Sequence, residues 1–304
     1  MGWLPGWAYS KSHVLTSATG AGSGYQVQLR LFPGAGTDSG TDVYLNNHCT
    51  NFPIDIAITD DDGTTELYHW YEDAGATPII CWAKVNDSLE SSNATIYIYY
   101  GKSGGSSSYL DGDNTFLFYD HFPGTSLDLS KWSGDTSYAS VASSIMTFAT
   151  TTVWKAIAGL SVGAISCALR ARGNLSGSGM FGLAANYSAC AYSWNAATPY
   201  IQTAATYGSN WTCNAYILVD ILIRYATNAR FFQAGSERTN SPRTDSISSG
   251  NVGAQVSNYN MNTKLDWIAI RKFTSSGTEP GHSTWGSEES TPTGGARSIG
   301  TIIG

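Results

Sequence analysis

Carboxylates crowd two turns of this chain, Asp60-Asp61-Asp62-Gly63 and Asp111-Gly112-Asp113. Calcium takes about six to eight oxygen ligands, and closely spaced carboxylates in one turn supply several of them. Any divalent ion bound here is therefore expected to be calcium, held by Asp60, Asp61 and Asp62 or by Asp111 and Asp113. The spacing is not that of an EF-hand, which needs a Glu late in its loop. A solvated hairpin turn, where Asp-Gly is favoured for backbone reasons, accounts for the same residues without a metal.

Catalytic arrangements are harder to find. Retaining glycoside hydrolysis needs two carboxyls about 5–5.5 Å apart. On one strand that requires an E-x-D-x-x-E-like spacing with alternate residues facing one cleft, and this chain has no such set. Glu288 and Glu289 are adjacent and would point to opposite faces, and Asp220 stands alone in the apolar run YILVDILIRY, where a hydrogen-bonded or edge-facing role explains it. The histidines, His13, His48, His69, His121 and His282, show neither zinc-site spacing nor a neighbouring serine-nucleophile motif. The cysteines stand at Cys49, Cys81, Cys167, Cys190 and Cys213, without a C-x-x-C pair. Cys167 alternates with Ile165 and Leu169 and reads as a buried strand thiol; Cys190 and Cys213 flank an aromatic-rich segment and are candidates to pair. The glycine-rich pieces at 20–24 and 101–105 precede no helical pattern, which argues against phosphate cradling. The expectation is a protein that is not an enzyme.

That aromatic segment holds Tyr187, Tyr192, Trp194, Tyr200 and Tyr207 among small residues, with Trp211 just beyond. Sugars stack on aromatic faces, so an exposed set would form a glycan or partner platform; the alternative is core and loop packing. Asn86, Asn93, Asn174, Asn186 and Asn210 each begin an N-x-S/T sequon, which matters only if the chain crosses a glycosylating membrane.

The elements that must position these groups are strands. In Thr95–Tyr100, Ile96 and Ile98 alternate with Tyr97 and Tyr99, the period of a half-buried strand. Further strands are expected at Gln26–Phe32, Val43–Leu45, Ile54–Thr59, Glu66–Glu72 and Ile79–Val85, then around Ile165–Leu169, Tyr216–Tyr225 and Leu265–Phe273. Pro33-Gly34, Asp38-Ser39-Gly40, Asp62-Gly63 and Asp111-Gly112 punctuate them as turns. No window has a convincing helical period, and no heptads are present. The expected fold class is all-β, two β-sandwich or jelly-roll domains in series.

Length and charge locate the seam. The chain has 304 residues, room for about two domains. Residues before Phe118 carry 13 acidic and 4 basic side chains, and those from Phe118 on carry 10 and 12. Domains are expected at 1–117 and 118–289, followed by a flexible tail, 290–304, whose Ile299, Ile302 and Ile303 suit packing against a neighbouring subunit. Charged residues make up 13% of the chain against the usual ~25%, polarity coming from Gly, Ser, Thr and Asn. The net charge of −7 and scattered basic residues argue against nucleic acid. No run reaches the ~18 apolar residues that would insert in a membrane. The start, MGWLPGWAYSKSH, lacks the basic and apolar regions of a secretory signal.

Several segments together resemble a family. They are Trp7–Lys11 (WAYSK), Tyr25–Gln28 (YQVQ), Gly36–Leu45 (GTDSGTDVYL), Asp55–Leu67 (DIAITDDDGTTEL), Ala94–Gly101 (ATIYIYYG) and Asp111–Phe116 (DGDNTF). In order and spacing they resemble a domain of unknown function found in modular surface and secreted proteins of archaea and bacteria and in some of their viruses. This chain has Ala57 where such proteins usually carry an Arg. In that family a concanavalin A-like (laminin-G-like) jelly roll often follows. Phe118–Trp132 is similar to its opening strand and Leu265–Glu289 to its closing strand and exit. The resemblance implies two β-sandwiches and glycan or surface recognition, without supplying a catalytic residue.

These observations converge on a structural or recognition protein of a virion, as a fibre, decoration or tail-associated subunit, or of the extracellular surface. Its expected partners are other copies of itself, virion or surface proteins, and cell-surface glycans. A secreted adhesin or filament subunit is the rival in the same class, and a glycan-active enzyme the rival from another.

Overall fold

The computed structural model describes residues 2–292, apart from 74, 151–152, 186–187, 196–197, 204–205 and 210–214. The first half forms seven strands: β1 (Tyr9–Thr16), β2 (Tyr25–Phe32), β3 (Asp42–Tyr44), β4 (Ile56–Thr59), β5 (His69–Tyr71), β6 (Ile79–Val85) and β7 (Ala94–Tyr100). A four-residue helix, α1 (Gly112–Thr115), leads into β8 (Phe118–Asp120) and β9 (Trp132–Gly134). Then come β10 (Ala139–Ala142), β11 (Ile145–Thr150), β12 (Lys155–Gly163), β13 (Cys167–Ala185), β14 (Ser188–Asn195), β15 (Thr198–Gln202) and β16 (Thr206–Gly208). The series closes with β17 (Ile217–Arg224), β18 (Asn228–Gln233), β19 (Ser236–Glu237), β20 (Val252–Lys272), β21 (Gly281–Trp285) and β22 (Glu289–Ser290). The molecule is all-β, as its alternating sequence patterns require.

The first module is a sandwich of two sheets, ordered β21-β1-β7-β4 and β3-β2-β6-β5. Period-two alternation builds its core. Tyr25, Val27, Leu29 and Leu31 of β2 face inward with Ile79, Cys81, Ala83 and Val85 of β6, opposite Ile96, Ile98 and Tyr100 of β7. Leu4 and Trp7, from the segment before β1, cover the outer face of the β1–β7 sheet over Ala57 and Tyr99.

The second module is one large sheet built on the long pair β13 and β20, joined from Cys167↔Lys272 to Ala184↔Gly253. The ladder slips between Arg172 and Gly173 and again between Gly177 and Ser178, the irregularities that let long strands bend. Phe148, Phe181, Tyr192, Ile221, Phe231 and Ile270, from strands across the sheet, meet in one core cluster, so the sheet curls around its own apolar face.

The last strands depart from the sequence-based boundaries. Residues up to 289 were expected to complete the second module, with a free tail from 290. Instead β21 pairs with β1 through His13↔Trp285 and Leu15↔His282, and β22 pairs with Tyr9 and Ser10. The chain therefore returns to the first module. Thr291 bonds the carbonyls of Trp7 and Ala8, while Ile299, Ile302 and Ile303 lie outside the described residues. The polar β21 sequence, GHSTW, has no apolar alternation that would mark it as an edge strand.

Candidate functional site

The outer face of the β3-β2-β6-β5 sheet rests on the outer face of the second module. Trp82, Phe116, Tyr119, Trp267 and Ala269 form a small apolar cluster there, flanked by Trp70, Ile80 and Leu218. Strand register explains why these residues meet. On β6 the inward Cys81 and Ala83 leave Trp82 pointing out, and on β20 the inward Ile268 and Ile270 leave Trp267, Ala269 and Arg271 pointing out.

Charged groups ring this cluster. Arg170 sits opposite Asp220 in the β13–β17 ladder and donates to its Oδ2 at 2.7 Å. The same guanidinium reaches across the seam to Glu72, with Nε at 2.5 Å from Oε1 and Nη2 at 3.1 Å from Oε2. Glu72 also accepts the Trp82 indole N–H at 2.7 Å. The Arg271 guanidinium lies 4.9 Å from the centre of the Trp82 ring and that of Arg170 lies 5.9 Å away, so the indole is flanked by two cations. Arg271 in turn pairs with Glu279, which accepts the Tyr25 hydroxyl at 2.8 Å. Gln26 completes the join, donating to the Thr115 carbonyl at 2.8 Å and accepting the Lys272 N–H at 2.9 Å.

Between the modules this leaves a cleft of about 270 Å³. Its walls include Tyr25, Gln28 and Trp82 from the first module, Arg170, Asp220, Phe232 and Arg271 from the second, and Glu279 and His282 from the returning segment. Burial raises the pKa of Glu279, but the Arg271 charge and the hydrogen bonds from Arg271 and Tyr25 outweigh it and hold the carboxyl below its ordinary value. Burial works against the cation at Arg170, yet Asp220 and Glu72 leave its pKa raised. The Tyr25 hydroxyl is pushed up by burial and by the Glu279 charge. Glu279, Asp220 and Glu72 are thus each hydrogen-bonded to a guanidinium, Glu279 to Arg271 and the other two to Arg170. The cleft offers fixed donors and acceptors beside aromatic faces.

The acidic turns and the aromatic segment singled out in the sequence fall elsewhere. Asp60 and Asp61 come together with Asp87, one carboxylate oxygen of each lying within 4.8 Å of the others. Asp62 is turned away, accepting the Thr64 and Thr65 N–H groups at 2.7 and 2.8 Å and the Thr65 hydroxyl at 2.6 Å. These bonds lower its pKa. Asp111 caps α1 through the Asn114 N–H at 3.0 Å, and Asp113 pairs with Lys131 at 2.6 Å. Their carboxylates are engaged separately, so this turn gathers no ligand set among the described residues.

The aromatic platform also divides. Tyr192 is a core residue with no exposure, its hydroxyl donating to the Phe232 carbonyl at 2.5 Å; an apolar ring on the inward row of a strand is buried, not displayed. Tyr200 is half-buried on β15. Trp194 and Tyr207 lie in β14 and β16 with side chains outside the described set, and Tyr187 and Trp211 are outside the described residues altogether. Cys190, a candidate for pairing, is a buried free thiol, and Cys213 is outside the described residues. Asp220 is hydrogen-bonded, as one of its two sequence readings held. Trp82, Glu72, Arg170, Arg271 and Glu279 were not foreseen; the available signal was a charged residue breaking an apolar strand, at Arg170 as at Asp220.

Residues 53–135 match the model of a domain of unknown function (DUF2341), a stretch that crosses the seam between the modules. No curated protein matches the chain. Among solved structures, one described under endo-acting O-glycanases of the human gut microbiota aligns at 8% identity, covering 51% of this chain and 98% of that one, with a TM-score of 0.42. A sialidase aligns at 7% identity over 62% of this chain and 20% of its own, TM-score 0.43. Porphyranase B from Zobellia galactanivorans aligns at 9% identity over 51% and 91%, TM-score 0.40. Likenesses this distant bear on neither substrate nor chemistry. In sequence, the chain is similar through residues 53–135 to the DUF2341 domain.

Proposed function

We propose that this chain is a non-enzymatic recognition protein that holds a sugar-sized polyol in the cleft between its two modules. The observation that carries the reading is the cleft itself, with aromatic rings beside planar guanidinium, carboxylate and amide groups. Such groups give hydroxyls fixed donors and acceptors, while a ring face accepts the C–H side of a sugar. The volume of about 270 Å³ is just below the range of about 300–1,000 Å³ usual for ligand pockets, which suits one small unit. Glycoside hydrolysis calls for a carboxylic acid with a raised pKa. The lowered Glu279 and the Arg-bound Asp220 and Glu72 support binding without cleavage.

A glycan array followed by titration of the bound sugars tests this. Phe232 and Gln28 line the cleft without belonging to the apolar core, so Phe232→Ala and Gln28→Ala should leave the fold intact and weaken binding at least tenfold. Release of new reducing ends, or binding that both variants leave unchanged, overturns the reading.

The setting we propose is the outside of a cell or a virus particle, in copies that meet head to tail. The acidic first half and the slightly basic second half support such contacts. Deleting Ala296–Gly304 should leave both modules folded and shift the sedimenting species toward monomer; equal assembly by the truncated chain sinks this part.

A further inference from the structure

Strand β1 places a lysine where an apolar side chain belongs. Tyr9, Lys11, His13 and Leu15 share one face of the strand, and Leu15 is part of the first module's core. Lys11 pairs in register with Ile98, itself a core residue, and its side chain keeps only 5% of its exposure. Its Nζ lies 2.7 Å from Oδ2 of Asp38, in the loop between β2 and β3, and 2.6 Å from the Tyr44 carbonyl oxygen. The other carboxylate oxygen, Oδ1, accepts the Tyr44 N–H at 2.7 Å. Both polar groups of Tyr44 thus flank the pair, as one strand residue flanks a peptide unit on its neighbour.

We propose that Lys11 and Asp38 condense to an intramolecular amide that staples the two sheets of the first module. The ammonium first passes a proton to the carboxylate oxygen it already touches at 2.7 Å. The neutral Nζ then attacks Cγ. The Nζ–Cγ bond forms, the Cγ–Oδ2 bond breaks, and Oδ2 leaves as water with two of the three ammonium protons. No oxidant, cofactor or outside acid enters the balance. The surroundings already match the product. The remaining N–H keeps its bond to the Tyr44 carbonyl, and Oδ1, now the amide oxygen, keeps the Tyr44 N–H. The oxygen that departs is the one held by Lys11 itself. A buried ammonium and its half-buried carboxylate partner become one satisfied neutral amide.

Mass spectrometry of the full chain under denaturing conditions decides the matter. The expected mass is one water below that calculated from the sequence, and digestion should yield a branched peptide joining the Lys11 and Asp38 segments. Lys11→Arg and Asp38→Ala should return to their full calculated masses. The wild-type measurement stands even if a variant folds poorly. A wild-type chain of full mass overturns the proposal, and so does a missing water found in a linear peptide, the mark of a succinimide.

Discussion

The two modules fill their interiors with different materials. The second surrounds one large apolar cluster, to which Phe148, Phe181, Phe231 and a row of Ile and Val residues contribute. Of its buried charged groups, Asp220 and Arg271 lie at the seam with the first module, and Asp120 accepts both the Trp132 indole N–H and the Phe122 N–H at 2.7 Å. The first module instead buries Lys11, His13, His69 and Asp55 beside Leu, Ile and Tyr. Strand length explains the contrast. Strands as long as Cys167–Ala185 and Val252–Lys272 can wrap a wide apolar face. Short strands enclose less, and the first module relies on internal polar bonds, on the returning segment and on the partner module. Its stability should therefore be more sensitive to charge and pH, and that of the second to lost volume.

The largest effect should come from opening the second core. Phe181 is fully buried, so Phe181→Ala should cost about 3–5 kcal/mol through lost burial and an unfilled cavity. Thermal melting checks this; a loss under about 1 kcal/mol would mean the site collapses freely and the module is less tightly packed than its burial implies.

Next comes the seam. Arg170→Ala leaves Glu72 and Asp220 without their shared cation, and breaking a buried pair in this way costs about 3 kcal/mol. The modules should then melt in two steps where the parent melts in one. A single cooperative transition in the variant would show that the aromatic cluster alone couples them.

Acid should separate the modules without any mutation. Burial, aided by the neighbouring His282, brings His13 down to about 3 against a backbone hydrogen bond that raises it. Burial brings His69 down to about 4. Unfolded, each takes a proton near pH 6.5. Below that pH the unfolded chain binds more protons than the folded one, so stability falls as pH falls, until the folded groups titrate in turn. At pH 4.5 each histidine should have removed about 2–3 kcal/mol, because every pH unit is worth about 1.4 kcal/mol. His121, the histidine of the second module, is exposed. Hydrogen exchange between pH 7 and 4.5 should show β1, β5 and β7 losing protection before β13 and β20, and the reverse order would refute the contrast.

How much of this was legible beforehand depends on the same difference. Ile79–Val85 was read from the sequence with its true limits, and Gln26–Phe32 and Thr95–Tyr100 each to within one residue, because their alternation is strict. Strand β1 was invisible: Lys11 and His13 occupy two of its inward positions and erase the apolar period. The length of β13 was hidden by its Gly and Ser residues, which carry no periodic signal. The cleft could not be read at all. Glu72 and Arg170 are 98 residues apart, and only the docking of two separately patterned sheets brings them together. Asp87 escaped notice for a similar reason, lying beyond two strands from the acidic turn it joins.

That acidic turn supplies the smallest and finest test of the first module's dependence on charge. Asp60 is raised above the ordinary carboxylate value by burial and by the charges of Asp87, Asp61 and Asp62, against the Asp61 N–H bond that lowers it. A raised carboxyl favours the fold in acid and opposes it as pH rises through its folded value. With divalent ions chelated, Asp87→Asn should relieve the crowding near neutral pH and stabilise the fold by about 0.3 kcal/mol, the scale of exposed charge pairs. Asp62→Asn relieves less, replaces Oδ2, the acceptor of the Thr65 hydroxyl, with an N–H donor, and leaves only a neutral acceptor for the Thr64 and Thr65 N–H groups, so it should destabilise under the same conditions. If calcium is then added and Asp87→Asn becomes the less stable form, the three carboxylates hold a cation. If its small advantage persists in calcium, the cluster acts through repulsion alone.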